Sequence, residues 1–195
     1  MSNRRYEMTT RDRARAATRE AILDAAVELF TPAWFDEVTL ADVAAKAGVS
    51  QQTVVNHFGS KIGLYLAGIS ERVAPAIIET RSGVQPGDVR GAVNAIVEDY
   101  EVTGDGTFRS VALAERVTEL REVVDRGRAA HRAWVEEVFA PQLGRSRGRT
   151  RERRLRLVAT VMDVATWKVL RRDEGLDRAE TAVHLQALVE AALAA

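Results

Sequence analysis

An all-α fold is the class this sequence predicts, on three observations. Only four prolines occur in 195 residues, and long stretches repeat apolar residues at helical spacing with few alternating β-branched runs. Residues 39–61, TLADVAAKAGVSQQTVVNHFGSK, read as two short capped helices around a tight turn. Residues 155–170 and 179–193 carry enough apolar side chains to need cover on more than one side. About nine helices are expected.

Composition sets limits on function. Apolar residues make up 46% of the chain, enough for a substantial core, and 28 basic residues balance 28 acidic ones. The molecule as a whole is therefore not a polycation that holds nucleic acid by charge alone. Cysteine is absent, which excludes disulfides and thiolate metal sites. No apolar run approaches membrane-spanning length and no signal-peptide core opens the chain, so no membrane partner and a cytoplasmic location are expected.

Taken in order, residues 1–17 form a basic arm, expected to be flexible. Residues 1–19 hold Arg4, Arg5, Arg11, Arg13, Arg15 and Arg19 against Glu7 and Asp12. Such an arm could reach a phosphate or a groove, or be a solvated tail. A helix is expected from about Thr18, with Ile22, Ala25, Ala26, Leu29 and Phe30 on its apolar stripe. Thr31-Pro32 ends it, because the residue before proline avoids the helical region. Trp34, Phe35 and Val38 are expected to plug the connection that follows.

Thr39 and Asp42 have capping-box spacing, and Leu40, Val43, Ala44 and Ala47 share a face. Gly48 suits the left-handed residue that ends a helix, Val49 is expected to be a buried spacer, and Ser50 caps the helix Gln51–Phe58. On that helix Val54 and Phe58 face inward while Gln52 and Asn56 face out. Ser60 then caps a further helix opened by Lys61. Helix, glycine turn and helix with polar residues outward is the layout of a DNA-reading helix-turn-helix. A plain core hairpin would leave Gln51, Gln52, Thr53 and Asn56 without a purpose.

Residues 18–61, with their Phe-Asp-x-Val-Thr connection, Ala-Gly-Val-Ser turn and Asn-His-Phe-x-Ser-Lys ending, resemble the DNA-binding domain of the TetR (tetracycline repressor-like) family. The resemblance implies a helix-turn-helix domain over 18–61 and a helical effector-binding and dimerisation domain over 62–195. It implies a homodimeric regulator, most often a repressor, released from a palindromic operator by a small molecule. Two departures stand out. Trp34 occupies a position where the family usually has glycine, and Val55 one where it usually has a phosphate-binding tyrosine.

Beyond Lys61, a helix with Leu64, Leu66, Ile69 and Val73 is expected to kink or end at Pro75. Asp88 caps the next, which should break at Thr103-Gly104-Asp105-Gly106 before a separate helix from Phe108 to Glu115. A longer helix follows from Thr118 or Glu119 to Phe139, stopped by Pro141. Residues 143–154 carry six arginines and one acid and read as a mobile, solvated connection. The final two helices, over 155–170 and 179–193, are expected to pair with a second copy as a four-helix interface.

The DNA contacts divide by type. Thr39, His57 and Lys61, with the backbone N–H groups at the capped starts such as Ser50, are phosphate candidates. Gln51, Gln52, Thr53 and Asn56 are candidates for base edges, with Gln51 nearer the packed side, and Val55 could touch a thymine methyl or a sugar. Phe108, Trp134, Met162, Asp163 and Trp167 are candidates to line an effector pocket, although aromatic residues at helical spacing are more often plain core. Asp163 is expected to pair with an arginine or to face a cavity.

Glu180 and His184 lie one turn apart and read as an exposed ion pair, since a metal-binding bundle needs a second such cluster. No glycine-rich phosphate loop, nucleophile elbow or metal cluster is present, so neither a cofactor nor an enzymatic activity is expected. A DNA-binding dimer without an effector remains open, as does a helical carrier or enzyme that keeps the module unused.

Overall fold

A computed structural model of the chain describes residues 10–144 and 146–195. Every regular element among them is helical, in two compact units, one ending at Arg72 and the other beginning at Val73.

The first unit holds α1 (Thr10–Phe30), α2 (Leu40–Ala47), α3 (Gln51–Phe58) and α4 (Lys61–Gly68). Ile22, Leu23, Val43, Val54 and Leu64 are fully buried and form its centre. Phe30, Phe35 and Tyr65 pack around one another with ring centroids 5.0–5.9 Å apart. Trp34 does not plug this junction: half of it is exposed, and its backbone N–H is held by the Glu37 carboxylate at 2.7 Å. Val49 is only half-buried.

The first helix begins at Thr10, not near Thr18. Residues 10–17 are therefore ordered helix, not a flexible arm; Arg4, Arg5 and Glu7 lie outside the described residues. The run of arginines concealed a helix, because arginine is a good helix former. Farther along, Arg19 forks onto Glu71 with two 2.6 Å hydrogen bonds, and Arg72 bridges Glu20 and Asp24. These pairs tie α1 to the π-helical turn Ile69–Val73 that follows α4. Half-exposed pairs of this kind contribute about 0.2–1 kcal/mol each.

The second unit contains α5 (Ala74–Ser82), α6 (Val89–Ala114), α7 (Thr118–Val138), α8 (Ala140–Leu143), α9 (Gly148–Val161), α10 (Val164–Lys168) and α11 (Arg178–Ala194). Pro75 falls in the first turn of α5, where its missing N–H costs nothing, and the regular helix has already given way to the π turn before it. The expected break at Thr103–Gly106 is absent, and α6 runs unbroken from Val89 to Ala114. Gly104 allows a close approach: a Cβ there would overlap the six-membered ring of Trp167, lying 2.8 Å from Cε3. Trp167 is fully buried in the cluster that includes Ile96, Tyr100, Val135, Phe139 and Leu185.

The arginine-rich stretch is also ordered. From Gly148 it forms the first turns of α9, anchored on α7 by Arg132–Glu152 and Arg151–Glu136 pairs of 2.9 and 2.7 Å; Arg145 lies outside the described residues. The helix expected over 155–170 is divided at Met162–Asp163. The Asp163 carboxylate accepts from the Ala165 N–H at 2.9 Å and so caps α10, instead of pairing with an arginine. Glu180 likewise serves the cap of α11, accepting from the Asp177 N–H, while His184 Nδ1 meets the Glu180 carbonyl at 2.8 Å. The expected ion pair between them does not form.

One polar cluster lies inside this unit. Arg81 and Asp99 form a buried ion pair, with Arg81 Nε donating at 3.0 Å. The guanidinium also lies over the rings of Tyr100 and Trp134. His131 sits 3.3 Å from Arg81 Nη1 and places Nε2 3.1 Å from the Ala159 carbonyl. Burial, then the Arg81 charge, pushes the His131 pKa below its ordinary 6.5, against weaker opposition from the Ala159 carbonyl and the charges of Asp163 and Asp99.

The packing of two glycines predicts opposite responses to alanine. Alanine normally stabilises an open helical glycine position by about 0.5–1 kcal/mol, as Gly127→Ala should, since nothing lies within 4 Å of a Cβ there. Gly104→Ala should instead lose about 1–3 kcal/mol by overpacking against Trp167; urea unfolding of the two variants checks the opposite signs. For His131 the unfolded state takes up a proton more readily than the folded one. Its contribution to stability is therefore complete above pH 6.5 and is lost as pH falls from there through the lower folded pKa. The sign of the slope is fixed, with stability rising as pH rises through this window, and His131→Gln should flatten it in unfolding measured at pH above the carboxylate range.

Candidate nucleic-acid interface

The three helix starts around the turn are fixed by local hydrogen bonds. At α2 the Asp42 N–H donates to Thr39 Oγ1 (3.1 Å), while the Thr39 N–H and hydroxyl both donate to the Asp42 carboxylate (2.8 and 2.6 Å). The Thr39 hydroxyl, then its N–H, hold the Asp42 pKa below its usual range. Gly48 ends α2 with φ +68°, a left-handed conformation that glycine adopts without cost. The Thr53 N–H donates to Ser50 Oγ at 3.1 Å, opening α3, and the Gly63 N–H donates to Ser60 Oγ at 3.0 Å, opening α4.

Between these caps α3 is held by one fully buried side chain, Val54. Its other side faces outward. Gln51, Gln52 and Asn56 are exposed, so Gln51 does not lie toward the packed side as expected. The Gln52 Nε2 amide donates to Asn56 Oδ1 at 3.0 Å, a one-turn pair that aligns two amides on one face. Thr53, Val55 and His57 are half-buried. The Thr53 hydroxyl lies 2.9 Å from Ser50 Oγ, and the His57 ring is tilted 40° to Phe58 with centroids 6.2 Å apart.

Thr39, Ser50 and Lys61 occupy the helix starts. Both Thr39 donors are engaged by Asp42, and the Lys61 ammonium rests 4.3 Å from the centroid of the Phe35 ring. That cation–π contact orients the lysine while leaving its charge intact.

Sequence reasoning placed Arg11 and Arg15 on a loose arm and missed that they face α3. With Thr53, Asn56 and His57 they line a cleft of roughly 670 Å³. The signal was present in the register: Arg11, Arg15, Thr18 and Ile22 recur at spacings of four, three and four, one face of a helix.

The candidate pocket residues of the second unit sit in or against its core. Met162 and Trp167 are fully buried, Phe108 and Trp134 pack at the edge, and Asp163 is the cap already described. The Trp134 indole N–H donates to the Arg81 carbonyl at 3.3 Å. A separate cleft of roughly 460 Å³ lies where Asn94, Val97 and Glu98 of α6 meet Arg178 and Ala182 of α11.

Capped helices around a glycine turn, with an amide-bearing outer face on the second, define a helix-turn-helix protein. Comparison with known proteins agrees. Residues 22–67 match the family described as bacterial regulatory proteins, tetR family. The HTH-type transcriptional regulator AlkX of Mycobacterium tuberculosis is 39% identical over 66 residues, 34% of this chain and 31% of that protein, so the chain spans under a third of AlkX in this match. The HTH-type transcriptional activator FasR of Mycolicibacterium smegmatis is 28% identical over 184 residues, covering 90% of this chain and 81% of FasR. In fold, a TetR-family regulator from Streptomyces coelicolor superposes with a TM-score of 0.71 at 21% identity, over 90% of this chain and 82% of that one. Residues 22–67 thus match the TetR family, and the helical fold of the chain is that of solved TetR-family regulators.

Among the described residues no helix is long and apolar enough to cross a membrane, and no cluster of three or more His, Asp or Glu residues could hold a metal ion.

Proposed function

We propose that this regulator binds a palindromic operator as a homodimer, with α3 in the major groove, and that a small molecule releases it. The observation that carries the reading is the division of α3: Val54 is fully buried while the Gln52–Asn56 amide pair is exposed and aligned. Glutamine and asparagine amides can pair bidentately with adenine. Gln51, Gln52, Thr53 and Asn56 are assigned to base edges, and Val55 to a thymine methyl or a sugar. Thr39, Ser50, His57 and Lys61 are assigned to phosphate, with Thr39 exchanging an Asp42 hydrogen bond for one to DNA.

Dimerisation through α9 and α11 is supported by what those helices leave outside. On α11, Val183 and Leu188 are exposed together with Ala187, Ala191 and Ala194, and Leu157 on α9 is partly exposed. A two-fold dimer places two recognition helices about 34–36 Å apart, one turn of duplex. Release follows if an effector favours a dimer geometry that no longer matches that spacing. The effector is assigned to the second unit, with Phe108, Trp134, Met162, Asp163 and Trp167 as its candidate contacts. Because Trp167 and Met162 fill the core, binding there would require them to move. Repression is the first reading; activation is the second, favoured by the long match to FasR, which is named an activator.

A duplex selected by the chain from a random-sequence pool provides the test. Gln52→Ala should relax preference at one base position, costing about 1–3 kcal/mol there. Lys61→Ala should weaken all sequences alike and reduce the salt slope by about 0.9. Unchanged specific binding in both variants would refute the assignment of α3. Separately, Val183→Glu with Leu188→Glu should give monomers in sedimentation and lose binding to paired half-sites; a dimer that persists removes α11 from the interface.

A further inference from the structure

Beside the outer face of α3 lies the cleft walled by the N-terminal turns of α1, where two arginines stand against one carboxylate. Arg11 and Arg15 stand one turn apart on the face that leads to the buried Ile22, and both are exposed. Other arginines nearby are committed to the fold: Arg19 to Glu71, and Arg72 to Glu20 and Asp24. Among the described residues neither Arg11 nor Arg15 forms an ion pair. The cleft also contains Asp12, a carboxylate in the first turn of α1, where the helix dipole favours it.

The opposite wall identifies the occupant. Thr53 and Asn56 line the cleft and belong to the surface assigned to base edges, and His57 lines it between them and the end of α3. A duplex seated on that surface brings the sugar-phosphate strand bordering the major groove alongside, since the groove is only about 12 Å wide. Guanidinium groups suit that strand because they bind phosphate oxygens as a fork.

We propose that Arg11 and Arg15 clamp the phosphate backbone of the DNA that α3 reads, as positioning residues that supply affinity and register without reading bases. This rests on the DNA-binding reading above and extends it to α1. It also supplies a backbone contact on a protein whose Val55 cannot make the phosphate hydrogen bond of a tyrosine.

The test measures binding by fluorescence anisotropy across a salt series, using the pool-selected duplex and poly(dI-dC), with circular dichroism to verify folding. Arg11→Ala with Arg15→Ala should weaken binding to both DNAs by about tenfold or more, and flatten the salt slope by about 0.9 for each phosphate that is no longer neutralised. Base preference should persist. Arg13→Ala removes the same charge from an exposed position outside the cleft and should leave the slope nearly unchanged. Arg11→Lys with Arg15→Lys should recover the slope but only part of the affinity, and this variant decides the matter if the alanine variant misfolds.

A wild-type slope in the double alanine variant overturns the clamp, as does a full loss of affinity in Arg13→Ala, which would indicate diffuse charge. A changed base preference with an unchanged slope also overturns it, in favour of a groove contact. If the wild-type chain binds no duplex at any salt, the DNA reading itself fails and the clamp falls with it.

Discussion

Everything proposed for DNA depends on the burial of Val54. An eight-residue helix cannot persist in water by itself, because nucleating it costs more than its few hydrogen bonds return. The α3 helix has Ser50 and Gly59 at its ends and one fully buried side chain between them. That single anchor, set among Ile22, Leu23, Val43 and Leu64 in the core of the first unit, fixes the rotation of α3 about its axis. Gln52 and Asn56 point outward because Val54 points inward. The remaining parts of the unit reinforce that orientation. The capping box at Thr39 sets where α2 begins, Gly48 turns the chain, and the Phe30–Phe35–Tyr65 cluster holds α1, the connection and α4 together. Lys61 is aimed by the Phe35 ring. Charges therefore divide into two kinds: Arg19 and Arg72 are used to hold helices, whereas Arg11, Arg15 and Lys61 remain available to a polyanion. The zero net charge of the chain conceals this division.

The second unit is built differently. Its core encloses a charged pair, Arg81 and Asp99, with His131 against it and aromatic rings on the guanidinium. A buried pair of this type contributes little net stability, yet losing one partner is costly because the other charge is then stranded. Neither residue was singled out by the sequence, because nothing local marks them as partners. Their pairing joins α5 to α6 across 18 residues of sequence.

Local chemistry was the legible part. Caps, glycine turns and proline stops depend on neighbours within a few residues, and so the helix-turn-helix, the Asp88 cap and the limits of α7 could be read directly. Readings that depended on distant partners failed. Gly104 signals a turn by composition, but Trp167, 63 positions later, makes it a packing site inside a continuous helix. Asp163 has the surroundings of a buried charge and is a cap. Residues 148–154 have the composition of a solvated loop and are helical, held to α7 by the Arg151–Glu136 and Glu152–Arg132 pairs.

By itself, the sequence determined the all-α class, the capped helix-turn-helix with its outward amides, and the apolar residues available for the core, because each follows from spacing and local hydrogen bonding. Only the tertiary structure decided which glycine bends the chain and which admits a ring, where α1 begins, and which arginines are neutralised. Those outcomes depend on which side chains meet across long separations, information that periodicity does not carry. The cleft between α1 and α3 belongs to this second kind: its arginines were visible in the sequence, and their direction was not.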